Sequence, residues 1–199
     1  MKKLFLIFIF LSLILSLNAQ DNSSQLLKSI QNKFKTINDL TVDVVQKPGG
    51  KEVLPGKLSY KKENRFHLDL KNNLIVSDGF SIWNYNKKEN KVIINTVDET
   101  DPSYFSFNSI VYAYPSQCYI SSEKDGEVLV FIPKENLDLN FSKAKLWINK
   151  EKLVSKIILE SAGTGETEVS FSNYKLNQNL ADSKFKFTPP EGSTIIDLR

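Results

Sequence analysis

The chain has little of what most enzymes need. Among 199 residues it carries one histidine and one cysteine. His67 falls on the polar side of the alternating run Arg65-Phe66-His67-Leu68-Asp69 and reads as an exposed strand residue. Cys118 lies among aromatics in Tyr114-Pro115-Ser116-Gln117-Cys118-Tyr119. No basic neighbour in sequence would lower its pKa, so it reads as a small buried hydrophobe. A single cysteine excludes an intramolecular disulfide framework. One histidine with one cysteine does not make the usual zinc site. No glycine-rich phosphate loop follows a strand, and no nucleophile elbow is present. The acids are spread over turns and polar faces; Asp78, Asp125 and Glu191 each precede a glycine, as turn residues do. The sequence therefore predicts no metal, no cofactor and no enzymatic activity. A block of basic residues is missing too, and the formal charge is only +3. Nothing in that balance calls for nucleic acid.

Long apolar runs are missing except at the start. Lys2 and Lys3 precede an almost wholly apolar stretch from Leu4 to Leu17, and Leu17-Asn18-Ala19 offers a small-residue cleavage site. This is the pattern of a secretory signal peptide. The stretch is shorter than the roughly 20 residues that a spanning helix needs. Residues 1–19 are thus expected to be a leader and residues 20–199 a single domain, free, soluble and periplasmic. No cysteine follows the cleavage point to take a lipid. Loss of two lysines would leave a formal charge of about +1.

What is present is periodicity. Leu26, Leu27, Ile30, Phe34 and Ile37 recur at helical offsets behind the capping cluster Asp21-Asn22-Ser23-Ser24. They predict an amphipathic helix from about Ser23 to Lys35. The period then becomes two. Leu40, Val42 and Val44 alternate with polar residues, as do Leu58 and Tyr60, and Phe66, Leu68 and Leu70. Leu146 with Ile148, Ile157 with Leu159, and Val169 with Phe171 repeat the pattern later. Each is a half-buried strand, and turn signals such as Asp78-Gly79 separate them. One segment, Asp98 to Gln117, interrupts the hairpins. Within it Phe107, Ile110, Val111 and Tyr114 predict a short helix that stops at Pro115, with Phe105 just ahead of it. The fold class is α+β: a strongly curved antiparallel sheet forming an incomplete β-barrel, covered by the leading and the inserted helix. Periodicity alone leaves open whether the apolar face is a packed core or the wall of a ligand cavity.

Five stretches in order resemble the family of outer-membrane lipoprotein carriers, LolA. They are Leu40-Thr41-Val42-Asp43-Val44-Val45-Gln46; Gly56-Lys57-Leu58-Ser59-Tyr60; Lys62-Glu63-Asn64-Arg65-Phe66; Ile75-Val76-Ser77-Asp78-Gly79-Phe80-Ser81-Ile82-Trp83-Asn84-Tyr85; and Ser183 to Gly192 with Ile195-Ile196-Asp197 behind it. The resemblance implies a hydrophobic cavity that takes acyl chains. Leu58, Tyr60, Phe66, Leu68, Leu70, Trp83, Tyr85, Phe105, Phe107, Ile110, Leu146, Ile148, Ile157, Leu159, Val169 and Phe171 would then bind lipid. It implies a monomer that accepts acylated lipoproteins from an inner-membrane ABC exporter and delivers them to an outer-membrane acceptor. A carrier of glycolipid or phospholipid, and a lipid-sensing module, remain alternatives on the same fold. The family's Arg-Pro at the third stretch is Lys62-Glu63 here. Lys lacks the forked donors of Arg, so the lid latch implied by the resemblance falls to Lys62 or Arg65.

Overall fold

The computed structural model describes residues 22–50, 53–97, 107–124, 127–137, 139, 141–161 and 165–199. The leader, Phe105 and the Asp125-Gly126 turn lie outside the described residues. Helix α1 spans residues 22–35. It buries Leu26 and Ile30, as the helical spacing requires. Twelve strands follow: β1 (Asp39–Pro48), β2 (Leu54–Lys61), β3 (Arg65–Leu70), β4 (Asn73–Asp78), β5 (Ser81–Asn86), β6 (Lys91–Thr96), β7 (Cys118–Glu123), β8 (Val128–Pro133), β9 (Lys143–Ile148), β10 (Val154–Ser161), β11 (Gly165–Leu176) and β12 (Thr194–Asp197). Helix α2, residues 107–117, is the insertion between β6 and β7.

All twelve strands form one sheet in the order β12-β6-β5-β4-β3-β2-β1-β11-β10-β9-β8-β7. Pairing is antiparallel throughout except between β12 and β6, which run parallel. Two meanders, β1–β6 and β7–β11, meet where β1 pairs with β11. The end strands β12 and β7 do not pair, so the barrel is incomplete. The sheet curves around one side. Phe66 and Ile82 from one meander share a buried cluster with Leu129, Phe131, Leu146 and Ile157 from the other, and with Leu26 and Ile30 of α1. Strand β2 needs a glycine at this bend. A Cβ on Gly56 would stand 2.6 Å from the Asp69 carbonyl oxygen of β3.

The outer face of the β3–β6 quarter has its own apolar layer. Val76 of β4, Val92 and Ile94 of β6, and Phe185 are buried there. The segment between β11 and β12 crosses this face as a strap. It begins where the backbone N–H of Gln178 donates to Asp39 Oδ1 at 2.8 Å. A 3-10 turn, Asp182–Phe185, follows. The strap then lays Phe187 against Trp83 and Tyr85 and ends in the edge strand β12. This strap accounts for His67. Its ring is half-buried rather than exposed, because the outer face of β3 lies under the turn Asp182–Phe185. That burial, with Lys184 nearby, holds the imidazole pKa below its ordinary value.

Pro115 does not stop the inserted helix. The backbone widens to a π-turn over Ser109–Ala113, closed by the Tyr114 N–H on the Ser109 carbonyl, and helix resumes through Tyr114–Gln117. A proline inside a regular helix lacks a donor and crowds the preceding turn. The wider turn relieves that crowding.

Candidate functional site: an apolar trough under two helices

Residues on the inner face of the sheet line up across strands. Val42, Leu58, Leu68 and Ile75 are successive partners on β1 to β4. Leu40, Tyr60 and Phe66 form the parallel row. On the other meander Leu146, Ile157 and Val169 are partners on β9 to β11. These three rows share one face because side chains two apart on a strand point the same way. Together they make a trough, and α1 and α2 fill it.

Its centre is aromatic. Phe34 of α1 lies 5.4 Å from the Tyr60 ring and 6.2 Å from Phe107 of α2. Phe107 in turn lies 5.9 Å from Tyr60 and 5.8 Å from Phe171. Such pairs each contribute about 0.5–1.5 kcal/mol beyond their buried area. A small apolar cavity of about 20 Å³ remains, lined by Ile30, Phe34, Ile37, Leu40, Phe107, Val111, Lys152, Leu153, Val154 and Tyr174. That is room for about one water, whereas small-molecule pockets run to roughly 300–1,000 Å³. At this point between the helices and the sheet there is no room for a large apolar ligand.

Polar ties fasten the helices, among them Lys134 Nζ, which donates to the Ser116 carbonyl at the end of α2 at 2.8 Å. The Gln31 side-chain amide donates to the Val111 carbonyl at 3.1 Å, joining α1 to α2. Pro115 has no N–H, so that carbonyl has no α-helical donor of its own. Lys62 sits at the C-terminal end of α1, one turn beyond Gln31. Its Nζ donates to the Lys35 carbonyl at 3.2 Å and to Asn38 Oδ1 at 2.9 Å. A cation at a helix C-terminus meets both the open carbonyls and the negative end of the helix dipole. Arg65 does not reach either helix. It donates to Asp182 Oδ1 at 2.9 Å, to Glu63 Oε2 at 2.9 Å and to the Lys62 carbonyl at 3.1 Å, and so anchors the strap.

The interior is electrostatically quiet. Burial pushes the Tyr60 phenol up to about 12, and it raises Tyr174 further still. The Tyr174 hydroxyl donates to the Val154 carbonyl at 2.7 Å. The Cys118 thiol is buried and pushed up to about 11 by the same cause. No cluster of metal-ligating side chains occurs among the described residues.

The trough brings together most of the residues that the sequence pointed to. Leu58, Tyr60, Phe66, Phe107, Ile110, Leu146, Ile148, Ile157, Val169 and Phe171 belong to one buried cluster, with Leu68 and Leu159 packed against it. Leu70 is partly buried on the same face, opposite Gly56. Trp83 and Tyr85 require correction. They alternate with Ile82, which is in the inner cluster, and so point to the outer face. There they meet Phe187 at 6.5 Å and 5.8 Å, under the strap. Phe34, Val111, Leu153 and Tyr174 were not singled out as site residues. Phe34 and Val111 had the signal, since each lay on a helical apolar face.

An apolar trough closed by two short helices, with a neutral interior, defines a binding protein for apolar ligands in class. Residues 32–188 match the family model described as outer membrane lipoprotein carrier protein LolA, and the chain belongs to that family. It is 25% identical over 171 residues to an outer-membrane lipoprotein carrier protein of Nitrosomonas europaea, covering 83% of this chain and 80% of that one. It is 26% identical over 189 residues to an uncharacterized protein of Methanocaldococcus jannaschii, covering 89% of this chain. The chain spans about half of that relative, 54% of its length. Among solved structures, an uncharacterized conserved protein from Thermus thermophilus superimposes with a TM-score of 0.56 at 12% identity, over 87% of this chain and 98% of that one. That likeness is one of fold.

Proposed function

We propose that this protein is a periplasmic carrier that takes the acyl chains of lipoproteins into the trough and shuttles them from an inner-membrane ABC exporter to an outer-membrane acceptor. The observation that carries the proposal is the trough itself. Its apolar wall runs across the sheet, and it is sealed by two helices whose fastenings include the Gln31 and Lys62 hydrogen bonds. Moving α1 and α2 aside exposes the wall formed by Leu58, Tyr60, Phe66, Leu68, Leu146, Ile148, Ile157, Leu159, Val169 and Phe171. The family membership and the carrier relatives support the same reading.

The energetics fit a shuttle. Each buried methylene is worth about 0.8 kcal/mol, so one long acyl chain gains on the order of 10 kcal/mol. Leaving a membrane forfeits a similar amount, and the displaced helices lose their own apolar contacts. Loading then needs outside energy, and release needs only a somewhat better acceptor. The carrier works by binding, with no bond made or broken. Lys62 is the residue we assign to the lid latch, since it grips the end of α1, while Arg65 holds the strap.

The test is mass spectrometry of material copurified from the native host under non-denaturing conditions. Acylated lipoprotein is the expected cargo. Free glycolipid or phospholipid would make the protein a carrier of those lipids instead. An apolar-free protein that also rejects added diacylated peptide would end the carrier reading.

A further inference from the structure

Helix α1 has an unusual outer side. Its residues include Lys28, Lys33 and Lys35 and no Asp or Glu. Lys47, Lys57, Lys61, Lys87, Lys143 and Lys145 each sit within ion-pair distance of a carboxylate. Lys28, Lys33 and Lys35 have no such partner among the described residues, nor do other lysines such as Lys88 and Lys156; what sets α1 apart is that it brings its lysines together with no acid. Lys28 and Lys35 are two turns apart and face the same way, opposite buried Leu26 and Ile30. Helix α2 beside it, residues 107–117, contains no charged residue. It exposes Tyr112, 36% accessible, whose ring packs 6.1 Å from Phe34. The cavity between the helices is rimmed by another cation, Lys152, on the turn between β9 and β10; Glu151 in that turn is its neighbouring acid.

We propose that the outer side of α1, with Tyr112 of α2 and Lys152 beside it, docks on an anionic lipid surface and so presents the trough to the membrane. An acidic protein would also satisfy lysines. The uncharged α2 and its half-turned-out tyrosine favour a partner whose negative charges overlie an apolar layer. A helix that is apolar on one face and carries lysines, uncharged polar residues and no acid on the other lies readily in a membrane interface, and tyrosine sits at the same depth. Docking would also give α1 somewhere to go: its apolar face, released from the trough, meets acyl chains rather than water. The inference rests on the carrier reading for its purpose, but its test needs no cargo.

The experiment is flotation of the chain from Gln20 onward with phosphatidylcholine vesicles, with and without roughly a third phosphatidylglycerol. Wild type should float with the anionic vesicles only, and about 0.5 M NaCl should release it by screening. The double variant Lys28→Glu/Lys35→Glu should lose at least twentyfold, since each lysine near such a surface is worth about fivefold. Lys88→Glu, on the turn between β5 and β6, should float like wild type. Circular dichroism confirms that the variants are folded, and uptake of a fluorescent acyl probe should be unchanged in both. Loss of flotation with intact probe uptake separates the docking surface from the carrier function. No flotation of wild type, equal flotation of the double variant, or preference for soluble polyglutamate over anionic vesicles overturns the proposal.

Discussion

The side-chain amide of Gln31 supplies the Val111 carbonyl with the donor that Pro115 withholds. One hydrogen bond thus both repairs a helix and fastens the two covering helices together. Gln31→Leu removes this donor from a part-buried carbonyl. The expected loss of stability is about 1–3 kcal/mol, read from urea unfolding. Uptake of an acyl probe should become faster, because the pair of helices opens more often. An unchanged uptake rate with lowered stability would show that the helices do not gate entry.

Lys62 makes a second, independent tie. Lys62→Met should speed amide hydrogen exchange at the end of α1 and in residues 36–38, with a cost of about 0.3–1 kcal/mol for the lost helix-end interaction. Exchange in β12 and in the strap should stay as it is. Lys62→Arg should preserve protection, since the guanidinium also reaches open carbonyls.

The two faces of the sheet should respond differently to ligand. Leu58→Asp places a charge in the trough, at a cost of several kcal/mol if it stays unpaired, and should abolish acyl-probe binding or folding. Trp83→Phe changes only the layer beneath the strap. It should leave probe affinity within about twofold, because Trp83 stands on the face opposite the trough. A large loss of affinity in Trp83→Phe would move the binding face to the other side of the sheet.

Acid should weaken the fold through His67. Burial and Lys184 depress its pKa below the ordinary 6.5. The unfolded chain therefore takes up a proton that the folded chain refuses. Stability is full above 6.5 and declines as pH falls from there through the depressed value. His67→Gln should flatten the stability profile in that window, measured as urea midpoints at several pH values. Cys118, with its thiol raised to about 11, should resist thiol reagents at neutral pH until the protein unfolds.

The sequence made the architecture legible because alternation survives wherever one strand face is covered and the other wet. It failed where both faces are covered. Val128-Leu129-Val130-Phe131 in β8 is buried throughout and shows no alternation. The same cause explains Trp83 and Tyr85. Their strand carries Asn84 and Asn86 beside Ile82 on the inner face, and its larger apolar side chains go outward, where the strap builds a second layer that no local pattern announces. Phe66, Leu68, Leu146 and Ile157 sit in alternating runs, and they lie on the inner face. The Gln31–Val111 tie, across 80 residues, has no sequence signal at all.

The seam between β1 and β11 has a consequence for how the molecule comes together. Asn38 donates to Asn177, 139 residues away, and the ladder above them pairs the first strand with the eleventh. Closing so large a loop costs entropy before any contact rewards it. Each meander can form its hairpins locally, but neither can bury its apolar face until the other arrives. The chain should thus collapse slowly, in the manner of high-contact-order sheets. During that interval the very surface meant for acyl chains stands open to any apolar partner, including a second unfinished copy.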